Sequence, residues 1–395
     1  MNSVTKNQTL SSLAQLITQN RAQILAANQR DLAGCAAMDP SLSDRLKVDS
    51  AKVDAMLAAI EKVILLEDPE GRVLYQHQRE DGLLIENRSV PFGTILIIYE
   101  SRPDVTIEAA VTAFKAGNQI LLKGGKESLH TNLVLVGLWH QALADNGVDT
   151  SFVQYLQMDR SQTQALICDN THNIDLIIPR GGEKLIEFVQ KNTSVPALIS
   201  GRGNNFLYID KTCDFAMASR VAVDGKQRLS VCNALDKILL HLDLPNLPEK
   251  LHELVQQLTD LGLSVFGDKE VCALNRNVLA MPSDEMWSEE FLSEKILIGL
   301  VVNSSRAINM INQFSGGHSA VIVSDNRALA VDFQQQVDCA AVYHNASSRF
   351  TDGGEFGLGA EIAISTQKLH FRGPVGLGEL VTNKWFIDGQ GQIRE

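Results

Sequence analysis

"TILIIYESRPDVTIEAAVTAFKAGNQILLKGG" (Thr94–Gly125) decides the fold. Its first six residues form a continuous apolar run, the pattern of a strand covered on both faces of a parallel sheet. "TIEAAVTAFKAG" has helical spacing and stops at Gly117, a residue type that ends helices readily. "NQILLKGG" repeats the buried-strand pattern. Strand, helix, strand in this order is a βαβ unit. The rhythm continues to about residue 210. Strands are expected at Phe152–Leu156, "DLIIPR", "PALIS" and "FLYID", and helices at Ser161–Ile167 and "GEKLIEFVQKN". A doubly wound sheet follows, with ligands at the carboxyl ends of its strands, where Gly124-Gly125 and Gly181-Gly182 make turns.

On the N-terminal side, residues 1 to about 66 have the spacing of helices with polar faces, and "LEDPEGRVL" is a turn. Leu83–Asn87 reads as a short, exposed strand. On the C-terminal side, the alternation restarts after Cys213 and predicts a second α/β domain. "KQRLSVCNALDKILLH" (Lys226–His241) places apolar residues at Leu235, Ile238 and Leu239, so a helix is expected to begin near Cys232. A helix at Leu247–Leu261 and strands near Leu263–Phe266 and Lys295–Val302 complete it. His344–Glu361 is a long, polar, glycine-rich loop of the kind that carries function. The final segment, "NKWFIDGQGQIRE", reads as a strand with a loose end.

The chain has 395 residues, beyond the roughly 250–300 at which a single core stops growing, so two domains are expected. A net charge of -12 argues against a nucleic-acid surface. The six cysteines show neither a C-x-x-C pair nor zinc spacing and read as reduced thiols of a cytoplasmic protein. The apolar runs fall short of a membrane span, about 18 residues or more. The spacing of Leu13, Leu16, Ile17, Ile24 and Leu25 fits a packed helix better than a transit peptide. The P-loop, the Rossmann glycine fingerprint, the zincin pair and the nucleophile elbow are all missing from the sequence.

Cys232 is the best nucleophile candidate. At a helix start the thiol would ionise more easily, and a helix-start N–H would steady an oxyanion. The competing reading is a buried structural thiol. Lys123 either contacts a cofactor or is a solvated surface lysine. Arg102, in "YESRPD", is either an anion ligand or half of a strand-end salt bridge.

"VPFGTILIIYESRPDVTIEAAVTAFKAGNQILLKGGKES", "QRLSVCNAL" and "HNASSRFTDGGEFGLGAEIAISTQKLHFRGPVGL" closely resemble the gamma-glutamyl phosphate reductase family of the aldehyde dehydrogenase superfamily. The resemblance includes "SDRL" at Ser43–Leu46 and the "DPEG" turn, and so spans nearly the whole chain. It implies an aldehyde dehydrogenase-like fold: a doubly wound cofactor domain (1–75 and 93–210), an α/β catalytic domain (211–365) and a small oligomerisation arm (76–92 and 366–395). It makes Cys232 the nucleophile and sets Lys123 near the adenosine ribose. Gly181 and Gly182 face the pyrophosphate, and Glu290 holds the nicotinamide ribose. The substrate's amino-acid end falls to the loop residues Asn345, Ser347, Ser348 and Arg349, although Arg349 equally suits pairing with Asp352 or Glu355.

The implied reaction is NADPH-dependent reduction of L-glutamyl 5-phosphate to L-glutamate 5-semialdehyde and phosphate, the second step of proline biosynthesis. Arg102 would hold the departing phosphate. A homo-oligomer and a glutamate 5-kinase are the implied partners. A coenzyme A-acylating aldehyde dehydrogenase and a non-catalytic scaffold of the same fold are the alternatives. "NASSRFTDGGEFG" argues against the first, and retained Cys232 and Glu290 against the second. The chain departs from the family pattern at Asp104, Asp224-Gly225, Leu229-Ser230 and Asp236-Lys237. Hydrolytic superfamily members carry a general-base glutamate about 34 residues before the cysteine; counting back from Cys232 gives Leu198, which cannot activate water.

Overall fold

The computed structural model describes residues 1–35, 43 and 45–394. Asp44, of the Ser43–Leu46 motif, lies outside the described residues. The chain divides into two compact units. The first comprises Met1–Ile199, Gly357–Ala363 and Val375–Glu395; the second comprises Ser200–Phe356 and Ile364–Pro374.

In the first unit, β1 (Val73–Gln78) and β2 (Leu84–Pro91) form a hairpin, followed by β3 (Thr94–Tyr99), β4 (Gln119–Lys123), β5 (Val153–Tyr155) and β6 (Leu176–Arg180). The last four make a parallel sheet in the order β5-β4-β3-β6. Leu96, Ile98, Leu121 and Ile177 pack with Leu166, Ile167 and Val189 of two helices on one face. Ile95, Ile97, Ile120 and Leu122 are fully buried on the other, as the unbroken apolar runs require. The connection from β3 leads to β4 on one side, while β6 lies on the other. The switch point between β3 and β6 therefore brings Ser101-Arg102 and Gly181-Gly182 to one crevice.

Two details differ from the sequence reading. "PALIS" makes a single bridge, Ala197 to Ile177, and no strand; Pro196 has no N–H with which to extend a ladder. β2 is neither short nor exposed. It is the middle strand of a three-stranded antiparallel sheet, between β1 and Val381–Asp388, with Glu86, Asn87 and Ser89 buried. Its cover comes from a segment far along the chain, which no local pattern reveals.

The second unit holds β7 (Asn205–Ile209), β8 (Leu235–His241), β9 (Ser264–Gly267), β10 (Leu279–Ala280), β11 (Lys295–Val301), β12 (Ser319–Val323) and β13 (Ala341–His344). All are parallel, in the order β10-β9-β11-β8-β7-β12-β13. "FLYID" thus belongs to this sheet and not to the first. One face packs on the helices Phe215–Gly225 and Leu247–Asp260; the other packs on Trp287, Phe291 and the helix Ser304–Phe314.

The helix expected from Cys232 is absent. Cys232 and Asn233 form a turn, and Leu235–His241 is the fully buried strand β8. A bulge explains the error. Asn205 pairs with Leu235 but Phe206 pairs with Lys237, so Asp236 is an inserted residue. A bulge sets two residues against one and breaks the period of two. Leu235 and Ile238 therefore share one face of the sheet and Leu239 takes the other. The sequence spacing of three and four is a helix signature only while strands are regular.

Candidate active site

The amino ends of β7, β8, β11 and β12 gather Gly203, Cys232, Glu290 and His318. Cys232 is half-buried and outside any disulfide. Cys232 does not open a helix, so the helix-start N–H expected for the oxyanion is withdrawn. Its turn is fixed by two asparagines. Asn205, fully buried, donates from Nδ2 to the carbonyls of Cys232 and Ala234, 2.7 Å each, and to Gly203 O at 3.0 Å. Asn233 donates to the carbonyls of Arg349 and Thr351, at 3.0 and 3.1 Å. Gly203 is required by close approach: a Cβ there would lie 2.1 Å from Cys232 O. The Gly203 N–H is also a donor to Glu290, which lowers that carboxyl's pKa; burial, the larger effect, raises it.

Burial pushes the thiols of Cys213 and Cys339 up to about 11 and that of Cys272 upward, so these three are poor nucleophiles. Fully buried His318 is pushed down to about 4 by burial. It contacts Ser319 at 2.8 Å, which bonds Thr351 at 2.7 Å, itself bonded to Tyr343 at 2.7 Å. This chain ties β12 and β13 to the loop that carries Arg349.

The loop candidates separate. Ser348 Oγ donates to Asn233 O at 2.9 Å, and Arg349 Nη1 donates to Asn233 Oδ1. Ser347 Oγ accepts the Arg349 N–H at 3.2 Å and caps the short turn of helix there. Among the described residues, neither Asp352 nor Glu355 pairs with Arg349; Asp352 instead accepts the N–H groups of Gly354 and Glu355. Asn345 is not with them. In the left-handed region (φ 56°), it bonds the backbone of Ser324 through both amide atoms, at 3.0 and 3.3 Å. That places it at the carboxyl end of β12, the end of the sheet opposite to Cys232, as a strand-end clasp.

The remaining candidates lie in the first unit. Lys123 Nζ donates to Gly124 O at 2.7 Å; burial lowers its pKa and Glu127 opposes the shift. Gly182 caps the helix Glu183–Asn192 without a side-chain bond, and a Cβ there would meet open space. At Gly181 a Cβ would come within 2.9 Å of both Glu100 Oε1 and Leu185. The Gly182 N–H donates weakly to Glu100 Oε1, at 3.5 Å; a helix start behind a close-fitting glycine suits a pyrophosphate that displaces this carboxylate. Arg102 and Arg180 flank the same crevice, and both counter the rise that burial causes in Glu108.

A model of the aldehyde dehydrogenase family matches residues 5–278. A gamma-glutamyl phosphate reductase of Lactiplantibacillus plantarum is 40% identical over 390 residues, 98% of this chain and 94% of the relative. That of Bacillus subtilis is 40% identical over 393 residues, 99% and 94% of the two chains. The crystal structure of gamma-glutamyl phosphate reductase from Thermotoga maritima superposes with a TM-score of 0.95 at 40% identity, over 100% of this chain and 95% of that one. The chain belongs to the gamma-glutamyl phosphate reductases, within the aldehyde dehydrogenase family. The fold expected from the sequence is the fold of this family. Membership implies a nicotinamide cofactor and a small-molecule substrate. An acetylating aldehyde dehydrogenase of Geobacillus thermoglucosidasius, 14% identical with a TM-score of 0.70, shares the fold alone. Among the described residues no helix is long and apolar enough to cross a membrane, and no cluster of His, Cys, Asp and Glu is able to hold a metal.

The residues that sequence reasoning missed are Gly203, Asn205 and Asn233. Asn233 adjoins the cysteine, but its partners lie 116 and 118 positions away. Gly203 and Asn205 act on the turn from another strand, and no local spacing signals that.

Proposed function

We propose that the chain reduces L-glutamyl 5-phosphate to L-glutamate 5-semialdehyde and phosphate with NADPH, the second step of proline biosynthesis. The observation that carries this reading is the Cys232 turn, whose carbonyl is gripped by Asn205 and whose neighbour Gly203 docks Glu290. Cys232 Sγ attacks the acyl carbon, the carbon–oxygen bond to phosphate breaks, and phosphate leaves with the electron pair, giving a thioester. NADPH, when bound, would supply the hydride for the thioester carbon. The carbon–sulfur bond then breaks, releasing the aldehyde and restoring the thiolate. Glu290 would hold the nicotinamide ribose, Gly181 and Gly182 the pyrophosphate and Lys123 the adenosine ribose. The cation of Lys123, at the carboxyl end of β4, supports NADPH over NADH by charge. Arg102 would take the departing phosphate. Arg349, with Ser347 and Ser348 shaping its turn, would take the substrate's α-carboxylate. Apolar Leu198, at the position where counting places the general-base glutamate of hydrolytic relatives, supports reduction over hydrolysis, because a thioester awaiting hydride must not meet activated water.

The arm supports assembly into a homo-oligomer. β1 is exposed throughout, and Tyr75 and Trp385, both half-exposed, stack edge to face at 5.9 Å. A glutamate 5-kinase would supply the labile acyl phosphate. The test is oxidation of glutamate semialdehyde with NADP+ or NAD+ in the presence of phosphate or coenzyme A. The expected result is turnover that requires phosphate and favours NADP+. Turnover with coenzyme A and none with phosphate would overturn the reading.

A further inference from the structure

The bulge in β8 does more than shift the strand's register. Neighbouring residues of a regular strand point to opposite faces. Here the inserted Asp236 and the following Lys237 both reach one short segment, Glu289–Phe291. Asp236 Oδ2 accepts the Phe291 N–H at 2.8 Å, while its Oδ1 accepts from Lys226 Nζ at 2.6 Å. Lys237 Nζ donates to the carbonyl of Glu289 at 2.8 Å and lies 3.5 Å from the centre of the Phe291 ring. The residue before Glu290 is therefore held by its carbonyl, and the residue after it by its N–H and its ring.

Lys226, Asp236 and Lys237 are all 1% exposed or less. Among the described residues no carboxylate pairs with Lys237. A buried amine without a paired anion is costly, and an apolar side chain would fill the same space at less cost. Its distinguishing contacts are those to the backbone and the ring on either side of Glu290. The carboxylate between them docks on Gly203, which packs against the Cys232 carbonyl.

We infer that Lys237 is a positioning residue. With Asp236 it clamps Glu289–Phe291, fixes the backbone that carries Glu290, and so sets Glu290 for the ribose of the nicotinamide cofactor. This rests on the assignment of Glu290 as that ligand, and the test separates the two.

Lys237→Met cannot donate to Glu289 O, and Lys237→Gln keeps a shorter, neutral donor. NADPH affinity is measured by fluorescence, with the KM values for NADP+ and for glutamate semialdehyde from the phosphate-dependent assay. Lys237→Met should raise the NADPH Kd and the KM for NADP+ about tenfold, leave the KM for semialdehyde within about twofold, and exceed the effect of Lys237→Gln. In a Glu290→Gln background either change should add less than about twofold, because residues acting through one group are not additive. A folded Lys237→Met or Lys237→Leu, neither of which donates to Glu289 O, with parental NADPH affinity, beside a Glu290→Gln variant that has lost it, overturns the clamp alone. Full additivity in the double variant, or equal losses for both substrates, also overturns it and makes Lys237 merely structural. Parental NADPH affinity in Glu290→Gln overturns the assignment of Glu290 itself.

Discussion

Cys232 acts as a nucleophile only as a thiolate, and a serine hydroxyl in its place stays protonated near neutral pH. Cys232→Ser should keep the fold and NADPH binding and lose turnover by roughly a thousandfold or more; activity within about tenfold of the parent would remove the cysteine from the mechanism. Arg349 is held by Asn233, and its other donors are suited to a carboxylate. Arg349→Ala should weaken use of glutamate semialdehyde by about 2–5 kcal/mol of transition-state binding and barely change that of a tail-less aldehyde such as butanal. Equal losses for the two aldehydes would mean that Arg349 serves only the loop's shape. Lys237 also links stability to pH. Burial pushes its amine down to about 7 from 10.5. Above pH 7 the folded chain therefore binds fewer protons at this site than the unfolded chain, and stability rises with pH up to 10.5. Denaturant unfolding at pH 7 and pH 9 should show a larger gain for the parent than for Lys237→Met. An unchanged gain would show that Lys237 is not the titrating group. The thiols of Cys213 and Cys339, pushed up from 9 to about 11, oppose this gain as pH nears 9, and Tyr343 does so higher still; they act alike in parent and variant, so the difference between the two reports Lys237.

At the scale of elements, the site is a set of strand beginnings held in register. β7 follows Gly203 and opens on Asn205, β8 follows Cys232, and β11 follows Glu290. The contact of Gly203 with the Cys232 carbonyl is backbone against backbone, which no rotamer change relieves. Gly203→Ala should displace the nucleophile's turn and the Glu290 dock together, and lower kcat/KM by roughly a hundredfold or more, with far-UV circular dichroism unchanged. Near-parental kinetics would show that the approach is not needed. The four parallel strands of the first unit were legible in advance because strands buried on both faces read as apolar runs broken by helical spacing; "PALIS" and β2 of the same unit were not. β8 was not, because one inserted residue gave a strand the spacing of a helix.

At the scale of the whole molecule, the arm leaves Val73, Leu74, Tyr75, Trp385 and Ile387 about half exposed or more. A cluster of large apolar side chains on a narrow sheet suits contact with another copy. Trp385→Glu should lower the sedimentation mass of the protein while leaving its circular dichroism intact. An unchanged mass would take the arm out of assembly.

The sequence by itself determined the fold class, the family and the reaction class, and it named Cys232 as the candidate nucleophile. Buried parallel strands announce themselves by composition, and the long motifs around Cys232 and His344–Glu361 carry the family. Most of the site's residues were named in this way, because they lie inside those motifs. Only the tertiary structure decided that "FLYID" joins the second sheet, that Asn345 clasps the end of the sheet opposite to Cys232, and that Asp236 and Lys237 grip the segment around Glu290. Each of these depends on which distant backbone lies beside a residue. The bulge at Asp236, and partners more than a hundred positions away for Asn233, set contacts that have no signature in local spacing.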